Sequence, residues 1–325
     1  MKAIVCENFG ALDQLKYAEV KAPSPQTGEV VVEVKACGVN YPDALLVQGL
    51  YQERPPLPFI PGIEFAGDVV QLGSNVNALA LGTRVLGFSP GYGAYAERIG
   101  CAATNVIPIP ADMPYVEAAN LICAHGTAHH ALKQRAQLRS GETLLVLGAA
   151  GGTGIAAVQI GKAMGARVIA ACSSDEKLAA AKANGADLLI NYAQQDLKST
   201  LREMTGGNGV DVVYDPVGGD AFNACSRSMA RNGRLLVVGF ASGTIAQLPM
   251  NLPLVKEFSV IGVFWGSFAR HEPQLLADNM QELFRWYAEK QIRVLVSEQL
   301  PLSQAADALT RLVQRQVVGK VALIP

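Results

Sequence analysis

Residues 143–159 read TLLVLGAAGGTGIAAVQ. An apolar, β-type run enters a stretch crowded with Gly and Ala and leaves through an alanine-rich helical pattern. A dinucleotide fingerprint carries meaning only in that order of strand, glycine turn and helix. Aligned on it, the stretch reads Ala149-x-Gly151-x-x-Gly154, with alanine in the place of the first glycine. Gly151 is expected to let the backbone approach a pyrophosphate, and Gly154 to let the helix pack closely on the strand. Ala150, Gly152 and Thr153 complete the expected cradle, because a helix N-terminus offers free N–H groups and the positive end of its dipole. A tight turn without a ligand would use the same glycines, so the flanking pattern has to decide.

Outward from this stretch, apolar runs alternate with helical patterns. Strands are expected in TLLVLG, RVIAAC, DLLIN, DVVYD, RLLVVGF and SVIGVFW, with helices from about Thr153, Asp175, Gln195 and Asp220. Such alternation predicts a parallel sheet covered on both faces, since crossover helices bury both sides. Six strands predict a Rossmann-type, doubly wound sheet over residues 123–265. Up to about Pro110 the texture differs: short β runs such as EVVVEVKA, GDVVQLG and TRVLGF are broken by Gly and Pro turns, which predicts a mostly-β domain. From Tyr115, VEAANLICAHGTAHHALKQ has helical spacing. After Trp265 come a helix near 272–289, VLVSEQLPL, a short helix in SQAADALTRLV and the strand GKVALIP. A six-strand order has no room for these strands, so residues 266–325 are expected to rejoin residues 1–122. The fold class is α/β.

Basic and acidic residues nearly cancel, 27 against 28, which argues against a nucleic-acid or anionic-membrane partner. Six cysteines lie scattered without a CxxC pair, which excludes a zinc ribbon and a disulfide framework. MKAIVCENFG reads as the start of a strand without the apolar core of a signal peptide, and no apolar run is long enough to span a bilayer, so the cytoplasm is the expected location.

The end of the second strand discriminates between dinucleotides, because an acid there bonds the ribose 2′-OH and repels a 2′-phosphate. Here RVIAAC runs into Ser173 and Ser174, with Lys177 one turn into the next helix. Two hydroxyls and a lysine suit a phosphate. Asp175 and Glu176 weigh the other way, but acids in a first helical turn are common for dipole reasons. NADPH is therefore expected over NADH.

The β half with ACGVNYPD and PGIEFAG, the central GAAGGTGIAAVQIGKAMGA, the strand DVVYDPVGG and the ending GKVALIP resemble the medium-chain dehydrogenase/reductase superfamily. Within it, the chain is most similar to the zinc-free quinone oxidoreductases, the family of zeta-crystallin. The resemblance spans essentially the whole chain and implies a GroES-like catalytic domain beside the Rossmann domain. It departs from the zinc alcohol dehydrogenases of the superfamily, whose zinc-binding cysteine and histidine fall on Asn40 and Ile63 here. Amide and aliphatic side chains do not bind zinc as thiolate and imidazole do, and Glu64 alone is not a site. No metal is expected. Without a Lewis acid, the acceptor has to be electron-poor already, as a quinone or an α,β-unsaturated carbonyl is.

Carried over motif by motif, the resemblance implies that Asn40, Tyr51 and Thr127 meet the nicotinamide or the acceptor. It sets Ser173, Lys177 and Tyr192 around the 2′-phosphate and adenosine, and Val217, Val238, Gly239, Phe240, Phe264 and Trp265 near the nicotinamide ribose. Lys320 is similar to a position that reaches the cofactor phosphate or carboxamide. Asn40 could equally be a turn residue, Tyr51 a packed lid, and Phe264 and Trp265 ordinary sheet packing. His125, His129 and His130 do not form a complete ligand set in this segment and read as helix histidines. No general acid is legible, so water is the expected proton source. Two alternatives stand beside quinone reduction, namely an enone or enoyl-thioester reductase and a non-catalytic, crystallin-like NADPH binder. SVIGVFW is expected at a sheet edge, where the family pairs two subunits, which implies a homodimer.

Overall fold

A computed structural model of the chain describes residues 1–325. The chain divides into two compact units, one of Met1–Cys123 with Val294–Pro325 and one of Ala124–Arg293.

In the first unit β1 (Lys2–Val5) and β2 (Lys16–Glu19) make a small antiparallel pair. β3 (Glu29–Gly38), β4 (Glu64–Leu72), β5 (Arg84–Phe88), β6 (Arg98–Ala102) and β7 (Val106–Pro108) follow. The long strand β3, EVVVEVKACG, is buried along most of its length, as expected of a strand paired on both sides. It pairs antiparallel with β4 and with β6. Between β3 and β4 the stretch read from the sequence as a loop contains the helix α1 (Tyr41–Val47), started by a proline in its first turn. A short helix α2 (Tyr115–Ala118) ends this part.

The second unit is reached along α3 (Ile122–His129), extended by a π-helical turn over 130–135. β8 (Thr143–Leu147), α4 (Gly152–Ala163), β9 (Arg167–Cys172), α5 (Asp175–Ala183), β10 (Leu188–Asn191), α6 (Leu197–Met204), β11 (Val210–Asp215), α7 (Gly219–Ser226), β12 (Met229–Val237), α8 (Asn251–Lys256) and β13 (Ser259–Gly262) alternate as the sequence predicts. The six strands are parallel in the order β10-β9-β8-β11-β12-β13, so strand order reverses between β8 and β11. Two helices carry local start signals. Ser174 accepts from the Lys177 amide to cap α5, and Asp196 from the Ser199 amide to cap α6.

The helices α9 (Trp265–His271) and α10 (Pro273–Ala288) correct the sequence reading, which sent everything after 265 back to the β domain. They belong to the second unit because α10 buries Met280, Leu283, Phe284 and Trp286 there. Its polar side chains bond the α3 region: His129 to Glu282 at 2.7 Å and Gln134 to Asn279 at 2.9 Å. Arg293 closes the unit with its amide on Gln159. Only then does the chain return, with β14 (Val296–Pro301), α11 (Ala305–Val313) and β15 (Lys320–Ile324). β15 pairs antiparallel with the end of β3, completing the order β14-β15-β3-β4-β5-β7. Strand bookkeeping found these strands, while the helices before them followed their apolar faces. No helix is long and apolar enough to cross a membrane.

Candidate active site

In the second unit, β8 ends at Leu147 and Gly148 turns the chain at a φ of +59°. Gly151 is the N-cap of α4, and no side chain caps the helix. The first helical bond runs from Ile155 N to Gly151 O, so the amides of Gly152, Thr153 and Gly154 have no intrahelical acceptor. A Cβ on Gly154 would run into the carbonyl oxygen of Gly148 and come to 2.9 Å from the Ala149 Cα. A Cβ on Gly151 would meet only an ordinary contact at 3.5 Å. The protein itself needs Gly154, whereas the open face at Gly151 suits close approach by something else. Backbone N–H groups at the positive end of a helix fit an anion such as a pyrophosphate.

Apart from Thr127 in α3, the remaining residues predicted for this unit follow the carboxyl ends of the strands. Ser173 is exposed after β9, and Lys177 is half-buried in the first turn of α5. The Asp175 carboxylate, which weighed against a phosphate, accepts from Asn191 Nδ2 at 2.7 Å and is thus held by the protein. Tyr192, half-buried after β10, bonds through its amide to Cys172 O. Val217 follows β11, and a Cβ on Gly148 would come to 3.1 Å from its methyl, so the turns after β8 and β11 meet where strand order reverses. Open α/β sheets bind ligands in that crevice. The amides of Val238 and Gly239 bond Asp215 O, and Phe240 is 38% exposed. Phe264 is 45% exposed, while Trp265 is buried against Gly126, where a Cβ would lie 2.9 Å from the indole nitrogen. Core packing thus accounts for Trp265. Thr127 is half-buried, in contrast to its neighbours in α3.

Asp215 and the Tyr214 hydroxyl escaped the sequence reading. Asp215, at the end of β11, accepts from the amides of Val217 and Gly218 at 2.7 and 2.8 Å. Burial raises its pKa against those two bonds. The hydroxyl of Thr153 pairs with the buried Tyr214 hydroxyl, pinning the start of α4 to β11. The histidines of α3 are structural. His125 faces Gln159, His129 bonds Glu282 with its pKa lowered by burial, and His130 stacks on Phe268 at 3.9 Å. No three His, Cys, Asp or Glu side chains come together as a metal site.

The first unit gathers a different set. Asn40 follows β3 and is the N-cap of α1. Its Nδ2 donates to Glu64 Oε1 at 2.8 Å, and its Oδ1 accepts from Lys320 Nζ at 2.6 Å. The same ammonium donates to Glu64 Oε1 and to Val39 O, both at 2.9 Å. Its three N–H donors are spent on these acceptors, so none is left for the direct cofactor contact that the resemblance implies for Lys320. Glu64 is fully buried and takes the Cys123 amide on Oε2. Gly38 makes room for it, since a Cβ there would collide with Glu64 Oε1 and Ala119 O.

Asp43, three residues after Asn40, is also buried. Its Oδ2 accepts from the Asn40 amide at 2.9 Å and from the Tyr95 hydroxyl at 2.8 Å. Burial pushes its pKa up to about 7 against those bonds and the pull of Lys320. Tyr51 is half-buried in the turn after α1. Glu64 and Asp43 were visible as letters in PGIEFAG and NYPDALL. Their partners at 320 and 95 were not.

Family models match two stretches of the chain. Residues 26–111 match an alcohol dehydrogenase GroES-like domain and residues 152–282 a zinc-binding dehydrogenase. Quinone oxidoreductase-like protein 2 of Bos taurus is 41% identical over 94% of this chain and 88% of its own length. A quinone oxidoreductase of Pseudomonas aeruginosa is 33% identical over 100% and 99%. The solved structure of Escherichia coli quinone oxidoreductase complexed with NADPH superposes with a TM-score of 0.94, at 31% identity and 100% coverage of both chains.

Proposed function

This chain belongs to the quinone oxidoreductase family of the medium-chain dehydrogenase/reductase superfamily, and from that premise we propose that it is an NADPH-dependent reductase of quinones that needs no metal. The observation that carries the cofactor reading is the uncapped glycine N-terminus of α4, set where the strand order reverses. The residues present fit NADPH: the amides of Gly152, Thr153 and Gly154 would hold the pyrophosphate, and Ser173 and Lys177 the 2′-phosphate, with the Asp175 carboxylate engaged by Asn191 Nδ2. When bound, NADPH supplies a hydride.

The chain's own residues position the partners of that transfer. Tyr192 and Val217 flank the nucleotide, and Val238, Gly239, Phe240 and Phe264 form the wall at the far strands. Asn40, Tyr51 and Thr127 are the polar groups proposed to meet the nicotinamide or the acceptor carbonyl. The six cysteines are all buried, and Asp43 is closed off by Tyr95 and Asn40, which supports water as the source of the proton. A solvent isotope effect abolished by Tyr51→Phe would instead identify a protein donor.

The metal-free reading rests on residue chemistry. Asn40 and Ile63 stand where the zinc enzymes place thiolate and imidazole, and the Lys320 ammonium sits against both Asn40 and Glu64, repelling a divalent cation. One zinc per chain in protein prepared without chelator would overturn this. β13 ends the parallel sheet with Val260 40% exposed, which supports pairing in a homodimer, tested by sedimentation at micromolar concentration. The cytoplasm is the proposed location.

The deciding experiment follows NADPH oxidation with a naphthoquinone and a medium-sized enone, beside NADH. Quinone turnover with NADPH supports the proposal. Turnover of the enone alone would make the chain an enone reductase, and tight NADPH binding without turnover of either a binding protein.

A further inference from the structure

The Asn40 carboxamide lies between two buried charges of opposite sign. Lys320 is 6% exposed and Glu64 fully buried, and they contact each other at 2.9 Å. The cation faces Oδ1 and the carboxylate faces Nδ2. Flipping the amide would put its NH2 against the ammonium and its oxygen against the carboxylate, losing two charge-assisted hydrogen bonds. The backbone is held as well, with the Asn40 amide on Asp43 and the Val39 carbonyl on Lys320. Asn40 itself remains half-buried. One Nδ2 hydrogen serves Glu64, and the second is the donor that Asn40 has left to offer.

We infer that Lys320 and Glu64 are a positioning pair for Asn40, holding its carboxamide in one flip state so that a single N–H is presented to the carbonyl oxygen of the acceptor. The inference deepens the reading in which Asn40 meets that carbonyl, and it rests on it. As the acceptor takes up a hydride, negative charge gathers on its carbonyl oxygen, and a donor fixed in advance stabilises that charge without reorganising. Such a donor suits an acceptor that carries a carbonyl, in a place where the residues offer no metal site.

The test uses the full chain, three variants of the pair, Lys320→Met/Glu64→Gln, Lys320→Met and Lys320→Arg, and Asn40→Ala for assignment. The double variant removes both charges together, so no buried charge is stranded. In protein labelled with 15N-asparagine, with the Asn40 signal identified by its loss in Asn40→Ala, the wild type should show two well-separated, slowly exchanging side-chain N–H resonances. In the double variant they should collapse toward free asparagine. With saturating NADPH, kcat/KM for a naphthoquinone should fall about tenfold or more in the double variant, as expected when a reacting group loses its orientation. The NADPH dissociation constant, read by fluorescence, should change less than twofold. Lys320→Arg, which restores a cation and its donors, should recover part of the quinone rate that Lys320→Met loses.

Unchanged Asn40 resonances in the folded double variant would overturn the inference. So would collapsed resonances with an unchanged kcat/KM, which would leave the pair a purely structural feature. A wild-type chain that turns over no quinone overturns the functional reading instead, and the resonances then still decide whether the pair holds Asn40.

Discussion

The glycine edge of the parallel sheet and the Asn40 cluster of the β unit solve opposite problems. The edge is built from backbone: its donors are amides, its shape depends on missing Cβ atoms, and no charged residue stands in the first turn of α4. The cluster is built from side chains, two of them charged and buried, with every N–H of Lys320 accounted for. The first leaves the amides of Gly152, Thr153 and Gly154 without an intrahelical acceptor; the second is closed on itself. A backbone cradle tolerates changes in nearby side chains but no methyl group at Gly154. A buried ion pair tolerates neither partner alone.

The largest effect should come from breaking the closed region. Lys320→Met strands the Glu64 carboxylate, and urea denaturation should show a loss of about 3–5 kcal/mol. Adding Glu64→Gln should recover much of it. If the single variant is as stable as the wild type, the pair does not carry its expected charge balance. The open region should fail differently. Gly154→Val forces a side chain into the Gly148 carbonyl, so α4 cannot seat against β8. Titration should show the NADPH dissociation constant rising about 100-fold, with a stability loss of only about 1–3 kcal/mol, the usual cost of overpacking.

A third prediction uses the acid in the closed region. The pKa of Asp43 rises from 3.8 to about 7 in the fold through burial, with Glu64 and Cys37 beside it and Lys320 opposing the shift. Folding therefore favours the protonated acid. The stability this confers is full below about pH 4 and is lost as pH rises through about 7. Asp43→Asn stays neutral, keeps an oxygen for Tyr95 and Asn40, and places its NH2 where the buried Oδ1 has no partner. Thermal and urea melts from pH 5 to 8 should show a wild-type decline of about 1–3 kcal/mol relative to the variant. Parallel curves would mean that Asp43 is ionised throughout. The smallest effect belongs to the rim of the open region. Lys177→Glu puts an acid beside the end of β9 and should shift the ratio of kcat/KM for NADPH over NADH about tenfold toward NADH. No shift would remove Lys177 from the 2′-phosphate site.

How far each region was legible follows from how it is encoded. TLLVLGAAGGTGIAAVQ carries strand, turn and helix within seventeen consecutive residues, so the edge and the six-strand order could be read directly. The end of β9 was partly legible: Ser173 and Lys177 stood out, but the engagement of Asp175 by Asn191 needed the fold. In the β unit, Asn40 was singled out for the nicotinamide or the acceptor, and Glu64 was set aside as an insufficient ligand. Their meaning lay in Lys320, 280 residues from Asn40.

Local order along the chain thus determined the α/β class, the parallel sheet and the glycine turn into α4, because turn glycines, helix caps and apolar periods act over a few residues. The extent of each unit, the partner of Asp43 and the ring of Asn40, Glu64 and Lys320 were decided only by tertiary structure. There β15 is laid beside β3, and residues remote in sequence share one buried, low-dielectric space in which each charge has to find its complement.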